Sequence, residues 1–191
     1  MQQLDEAVNE SERARDLDPF DFYANEWLGQ ALYHARRYDD ALRQLRRTLE
    51  MFPDRGQRLY WEIACVYEQK RMFAEAFAAH QQGLSKEPGL TQFVTPMAEA
   101  YKRAGYNGYV LKSAQFVEQF PPDLHLCPVH QYALLNNESR AMTCLERSYE
   151  EHNLGILFIR TAPELDSIRS SPRFRELVRR IGFPQPSSDK H

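Results

Sequence analysis

The chain has 191 residues, 42% of them apolar and 27% charged, with a formal net charge of -3. That is enough apolar matter for a core, yet no stretch reaches the roughly 20 apolar residues that a membrane-crossing helix needs, and the charge balance leaves no basic footprint for nucleic acid. No basic-then-apolar leader opens the chain, and three cysteines, Cys65, Cys127 and Cys144, lack metal-ligand spacing, so the expected address is cytoplasmic and reducing.

In chain order, four prolines set a period. Pro19, Pro53, Pro88 and Pro122 stand 34, 35 and 34 residues apart, and each closes a stretch that reads as two amphipathic helices. Small residues recur at a twelve-residue offset inside each unit: Gly29 and Ala41 before Pro53, then Ala64 and Ala76 before Pro88, then Ala98 and the larger Val110 before Pro122. Leu28, Ile63 and Met97 precede the first small residue, and Leu32, Tyr67 and Tyr101 follow it three later, so one lies over the next on a helix face. Tyr38 and Phe73 stand three before the second small residue, where an aromatic plugs the gap between helices. The expected organisation is a half repeat over 1–19, repeats over 22–55, 57–90 and 91–122, and a compressed, irregular repeat over 123–152.

The runs WLGQALYHARRYDDALRQLRRTLEMFP and IACVYEQKRMFAEAFAAHQQGLSKEP closely resemble the tetratricopeptide repeat, or TPR, and LDEAVNESERARDLDP resembles the second helix of one. The resemblance covers residues 1 to about 150 and weakens after Gly105, where Asn107 stands in place of an aromatic and Val110 in place of alanine. It implies an all-α fold, an α-α superhelix of stacked antiparallel helix pairs. In such a solenoid each unit leans on its neighbours.

Both ends bear on architecture. The opening half repeat carries Leu4, Ala7 and Val8 on a face that would pack against a missing partner helix; it reads as a boundary cut from a longer array, with a cap or self-association through that face as the alternatives. Near the other end, Thr161-Ala162-Pro163-Glu164 has capping-box spacing, and Ser171-Pro172 offers an N-cap and a first-turn proline. Phe174, Leu177, Val178 and Ile181 then form an apolar stripe, closed by Gly182, Phe183 and Pro184. A C-terminal capping segment is expected over 153–184, with a polar tail over 185–191. The run LERSYEEHNLGILFIRTAPELDSIRSSPRFRELVRRIGFP resembles the C-terminal ends of TPR arrays in bacterial signalling proteins, where such arrays follow a kinase, a cyclase or a winged-helix domain.

Catalytic motifs are missing: eight glycines include no phosphate loop, and there is no His-Glu-x-x-His, Cys-x-x-Cys or nucleophile elbow. The nearest approach to a metal site is His125, Cys127 and His130, with Cys144 able to approach from the next helix. The plainer reading is that the cysteines are small residues buried at helix interfaces and the histidines lie on partly exposed faces. Neither an enzyme, a metal nor a cofactor is expected. Asp39-Asp40 complement the dipole of a helix start.

By its register the TPR resemblance implies a concave wall lined by the first helix of each pair. On this sequence the lining is Tyr23, Glu26, Gln30, Tyr33 and His34, then Arg58, Trp61, Cys65, Glu68 and Gln69, then Gln92, Thr95, Glu99, Lys102 and Arg103. Trp27 and Trp61 read as core anchors or binding hot spots. One TPR subclass clamps chaperone carboxylate tails with a lysine and two asparagines; Glu26, Gln30 and Glu62 stand at those places, which disfavours that role. The expected function is a protein-interaction scaffold binding a peptide or partner domain, and the alternative is the regulatory part of a larger bacterial signalling enzyme or transcription regulator. Nucleic acid and membrane are not expected partners.

Overall fold

A computed structural model describes residues 2–119 and 127–183, and the helices expected from the period are there. Nine α-helices and four 3-10 turns make up the described residues, with no strand among them: α1 (Gln2–Leu17), α2 (Phe22–His34), α3 (Tyr38–Met51), α4 (Gly56–Gln69), α5 (Phe73–Lys86), α6 (Val94–Val117), α7 (Val129–Leu134), α8 (Glu138–Glu150) and α9 (Pro172–Ile181). The all-α fold class is the one the sequence implied. None of these helices is long and apolar enough to cross a membrane. Two compact units result, Met1–Lys112 and Ser113–His191.

In the first unit consecutive helices pack in chain order, α1 on α2, α2 on α3, α3 on α4 and α4 on α5. Local chemistry sets the hairpins. Asp21 caps α2 by accepting from the Ala24 N–H at 2.6 Å, and the Asn25 side-chain amide donates to the carbonyls of Pro19 and Asp21 at 2.9 and 2.8 Å. The period proline is thereby tied to the helix that follows it.

Turns between paired helices share one backbone device. Arg36, Arg71 and Asn136 have φ of 65°, 57° and 52°, and Gly105 has φ of 62°. These four positions stand 35, 34 and 31 residues apart, the sequence period and its final compression. The third pair is drawn as the single helix α6, but Ala104 and Gly105 leave helical geometry there. Gly105 has ψ of -156°, a region open in practice only to glycine.

Small residues do the work expected of them. Ala41, Ala64 and Ala76 are fully buried, and a Cβ added at Gly29 would come within 2.5 Å of the Leu45 side chain. The backbones of α2 and α3 approach that closely because no side chain separates them. Leu28, Leu32, Leu45, Leu59 and Ile63 fill the core around them, joined by Val8. Of Leu4, Ala7 and Val8, expected on an open face, Val8 is 1% exposed and packed in this core, while Leu4 is half-buried and Ala7 exposed. Tyr38 lies against that core, and Phe73 stacks on Tyr106 with ring centroids 5.0 Å apart.

In the second unit α7 and α8 form a further pair, with Asn137 capping α8 through the Arg140 N–H at 3.2 Å. Two 3-10 turns, Leu154–Phe158 and Pro163–Ile168, lead to α9. Ser171 caps α9 by accepting from the Phe174 N–H at 3.2 Å, Pro172 opens it, and Gly182 ends it in the left-handed region. Phe174 and Leu177 are buried, with Val178, Ile181 and Phe183 packed around them. The expected capping box at Thr161 does not form: Ala162 occupies the cap position, with no side-chain cap bond. Arg169 organises this region instead, donating to the carbonyls of Ile159, Arg160 and Ala162 at 3.0, 2.7 and 2.6 Å.

The cysteines require a correction. Cys127 and Cys144, read as separate small thiols, are joined in a disulfide with Cα atoms 5.6 Å apart, and Cys65 is buried outside it. Spacing alone gave no sign of this, because the pair is created by the fold of α8 back toward the segment before α7.

Candidate functional site, the first-helix face

Helices α2 and α4 stand side by side, so the first helices of two successive pairs form one continuous face. Two bonds between side chains one repeat apart hold it together. Gln30 donates through Nε2 to Glu62 Oε1 at 2.7 Å, and Arg58 forms an ion pair with Glu26. The Arg58 guanidinium also lies 3.7 Å from Oε1 of Glu62, one turn later on the same helix.

This arrangement sets two carboxyl groups against one guanidinium. Glu26 is fully buried and Glu62 nearly so, and the two carboxyls also hydrogen-bond each other. Burial pushes the Glu62 carboxyl up to about 8, with the neighbouring Glu26 charge adding to it and Gln30 and Arg58 opposing. Burial raises Glu26 as well, against the pull of Arg58. Like charges in a shared low-dielectric site do not both ionise at neutral pH, so one proton stays with the pair.

The aromatic residues of the face point outward. Tyr23, Trp27 and Trp61 are 49%, 57% and 46% exposed, and the Tyr23 and Trp27 rings lie 6.1 Å apart. Tyr33, by contrast, is half-buried against Tyr38 and His34, with ring centroids at 6.1 and 5.5 Å. His34 and Gln69 are also half-buried. Thr95, Glu99, Lys102 and Arg103 are exposed on the first half of α6, and Gln92 is exposed in the 3-10 turn Thr91–Phe93 just before it.

Three of the residues expected to line the face are turned into the protein. Glu26 is held as described; Cys65 and Glu68 are 4% exposed. Glu68 accepts from the Tyr106 hydroxyl and lies 3.2 Å from His80 Nε2, so it ties α4 to α5 and to the second half of α6. Burial, reinforced by that carboxylate, pushes the Tyr106 phenol far above its ordinary range. Repeat register identifies which helix face a residue is on, but a buried acid and an exposed one look alike in sequence. The Glu26 and Glu62 pair was missed as a pair for that reason.

In the second unit, the disulfide leaves Cys127 and Cys144 no thiolate to give a metal. His130 is buried with Nδ1 3.9 Å from Glu164 Oε1, and His125 lies outside the described residues.

The tetratricopeptide repeat family profile matches residues 1–55 and 33–88, two overlapping spans that cover α1 through α5. Residues 1–88 are tetratricopeptide repeats. The two matches begin 32 residues apart, near the 35 that separate the turn residues Arg36 and Arg71. No curated protein and no solved structure matches the chain. TPR repeats generally mediate contacts between proteins and are typically non-catalytic, which gives the exposed aromatic and charged groups of the α2 and α4 face a context.

Proposed function

We propose that this TPR protein is a non-catalytic scaffold that holds a peptide or a partner domain in the concave groove lined by the first helices of its pairs. The observation that carries the reading is the exposure of Tyr23, Trp27 and Trp61 on two adjacent first helices whose neighbours are charged. Large aromatics kept in water beside desolvated charges are the residue types that dominate protein interfaces. Glu99, Lys102 and Arg103 extend the groove along α6 and add charged contacts of both signs. The partner is a protein rather than nucleic acid or membrane, in keeping with the net charge of -3, and the expected setting is the cytoplasm.

A second reading is favoured by the closing run from Leu145 to Pro184, which resembles the ends of TPR arrays in bacterial signalling proteins. Here the groove would be the sensor or docking part of a larger signalling enzyme or transcription regulator. Both readings use the same face.

The test is capture of partners from soluble lysate by the intact chain and by a Tyr23→Ala, Trp61→Ala variant, after matching their helical circular dichroism. Both side chains are largely exposed, so the fold is retained. Partners lost with the variant support the groove; partners kept by both contradict it.

A further inference from the structure

Five large apolar side chains are exposed in two short segments outside the first-helix face. Leu17, at the end of α1, and Phe20, in the turn to α2, are 87% and 81% exposed. In the second unit, Leu154 is 77% exposed in the 3-10 turn after α8, and Leu157 and Phe158 are half-exposed in the same turn. Groups of exposed apolar side chains rimmed by charge mark contact surfaces.

The two rims are opposite in sign. Residues 2–21 hold seven acids and two bases, and both bases are taken: Arg13 pairs with Glu10 at 3.0 Å and Arg15 with Asp16 at 2.7 Å. Asp16, Asp18 and Asp21 alternate in sequence with Leu17 and Phe20, and Asp18 accepts from the Phe20 N–H at 3.1 Å. Arg55 lies over the ring of the next residue, Phe22, with Asp54 beside it in sequence. Residues 154–183, by contrast, hold six bases and three acids. Arg160 lies over the Phe183 ring and Arg180 over the Tyr149 ring. Neither of these nor Arg175 forms an ion pair among the described residues, and all three are exposed. Glu151, just before the turn, is taken up by Arg147 at 3.7 Å.

We propose that copies of this chain associate head to tail, the acidic α1–α2 corner of one seating Leu17 and Phe20 against the Leu154–Phe158 turn and the basic α9 of the next. Charge selects this occupant. A twofold contact would set acid on acid or base on base, whereas the unlike surfaces of two copies attract. Apolar groups on both sides supply the non-directional part of the contact, and the opposed charges fix its register. Because the two surfaces differ, a first contact leaves one of each unused, and association continues into a ring or an open chain. The contact goes beyond the groove reading, since neither segment includes Tyr23, Trp27 or Trp61.

Sedimentation of the 191-residue chain over a concentration series tests this. Leu17→Lys with Phe20→Lys blocks the acidic surface, and Leu154→Glu with Leu157→Glu blocks the basic one. All four side chains are exposed, so the fold is retained, and helical circular dichroism checks it. The parent is expected to grow past the dimer below about 0.2 mM, with association about tenfold weaker in about 0.5 M sodium chloride than at low salt. Each blocked variant alone should stay monomeric. An equal mixture of the two should form a dimer and nothing larger, because the surface intact on one meets the surface intact on the other. A monomeric parent, blocked variants that associate as the parent does, a mixture that stays monomeric, or association indifferent to salt would overturn the proposal. Should a variant misfold, the mass and salt dependence of the parent decide. Partner capture through Tyr23 and Trp61 is read separately, so a monomeric parent leaves the groove standing.

Discussion

Gln30 donates to Glu62 Oε1 at 2.7 Å across one repeat, and with that bond α2 supplies a neutral donor to a carboxyl buried on α4. Replacing Gln30 with leucine removes the donor and leaves the acid in apolar surroundings. The expected loss is about 1–3 kcal/mol, the cost of a buried group left without its hydrogen bond. Urea unfolding followed by helical circular dichroism measures it. A variant as stable as the parent would mean that the acid is solvated.

Stability should also fall as the solution becomes alkaline. Glu62 is raised in the folded chain from 4.5 to about 8, and Glu26 is raised beside it, so the folded state holds a proton that the unfolded state releases. The associated stability is complete below about pH 4.5 and declines as pH rises toward 8 and past it. Asp39 is displaced the other way by its bond to Lys70, and its contribution is lost only in acid, outside this window. Denaturation midpoints between pH 5 and 9 should slope downward in the parent and flatten in Glu62→Gln. A level profile in the parent would show that the carboxyl pair is not buried in solution.

Much of this was legible in sequence, and the boundary is physical. Gly29, Ala41, Ala64 and Ala76 could be placed because close helix approach demands small residues at a fixed period. Glu26, Cys65 and Glu68 were expected to line an open face and are buried instead, because period says which helix position a residue holds and not what covers it. The Cys127–Cys144 disulfide joins residues 17 apart that belong to no common pattern, and the Arg169 bonds depend on three carbonyls freed by 3-10 turns. Such contacts are products of tertiary structure, which helical periodicity does not encode.

The approach of α2 to α3 gives a packing test. Gly29→Val would force side-chain atoms into Leu45, and overpacking of that kind costs about 1–3 kcal/mol. Gly89→Ala is the control, since a Cβ there meets nothing within 4 Å. Thermal unfolding of both should show a large drop for the first and almost none for the second. Equal effects would contradict the close contact.

Reduction should loosen the second unit selectively. The Cys127–Cys144 bond closes a loop with a separation of 17 residues, for which chain entropy gives about 3 kcal/mol. Hydrogen exchange with and without reductant should show faster exchange in α7 and α8, with amides of α2 and α4 unaffected. No difference in α8 would mean that the bond adds nothing to that unit.

The most direct test of the groove is site-specific photocrosslinking. A benzoylphenylalanine at position 61, where Trp61 is 46% exposed, would face a ligand in the groove, and one at position 82, on the exposed side of the second helix α5, would not. In lysate, the scaffold reading predicts a discrete crosslinked partner from position 61 that a Tyr23→Ala change weakens, and none from position 82. A partner captured from position 82 and not from position 61 would place binding on the opposite side and contradict the account.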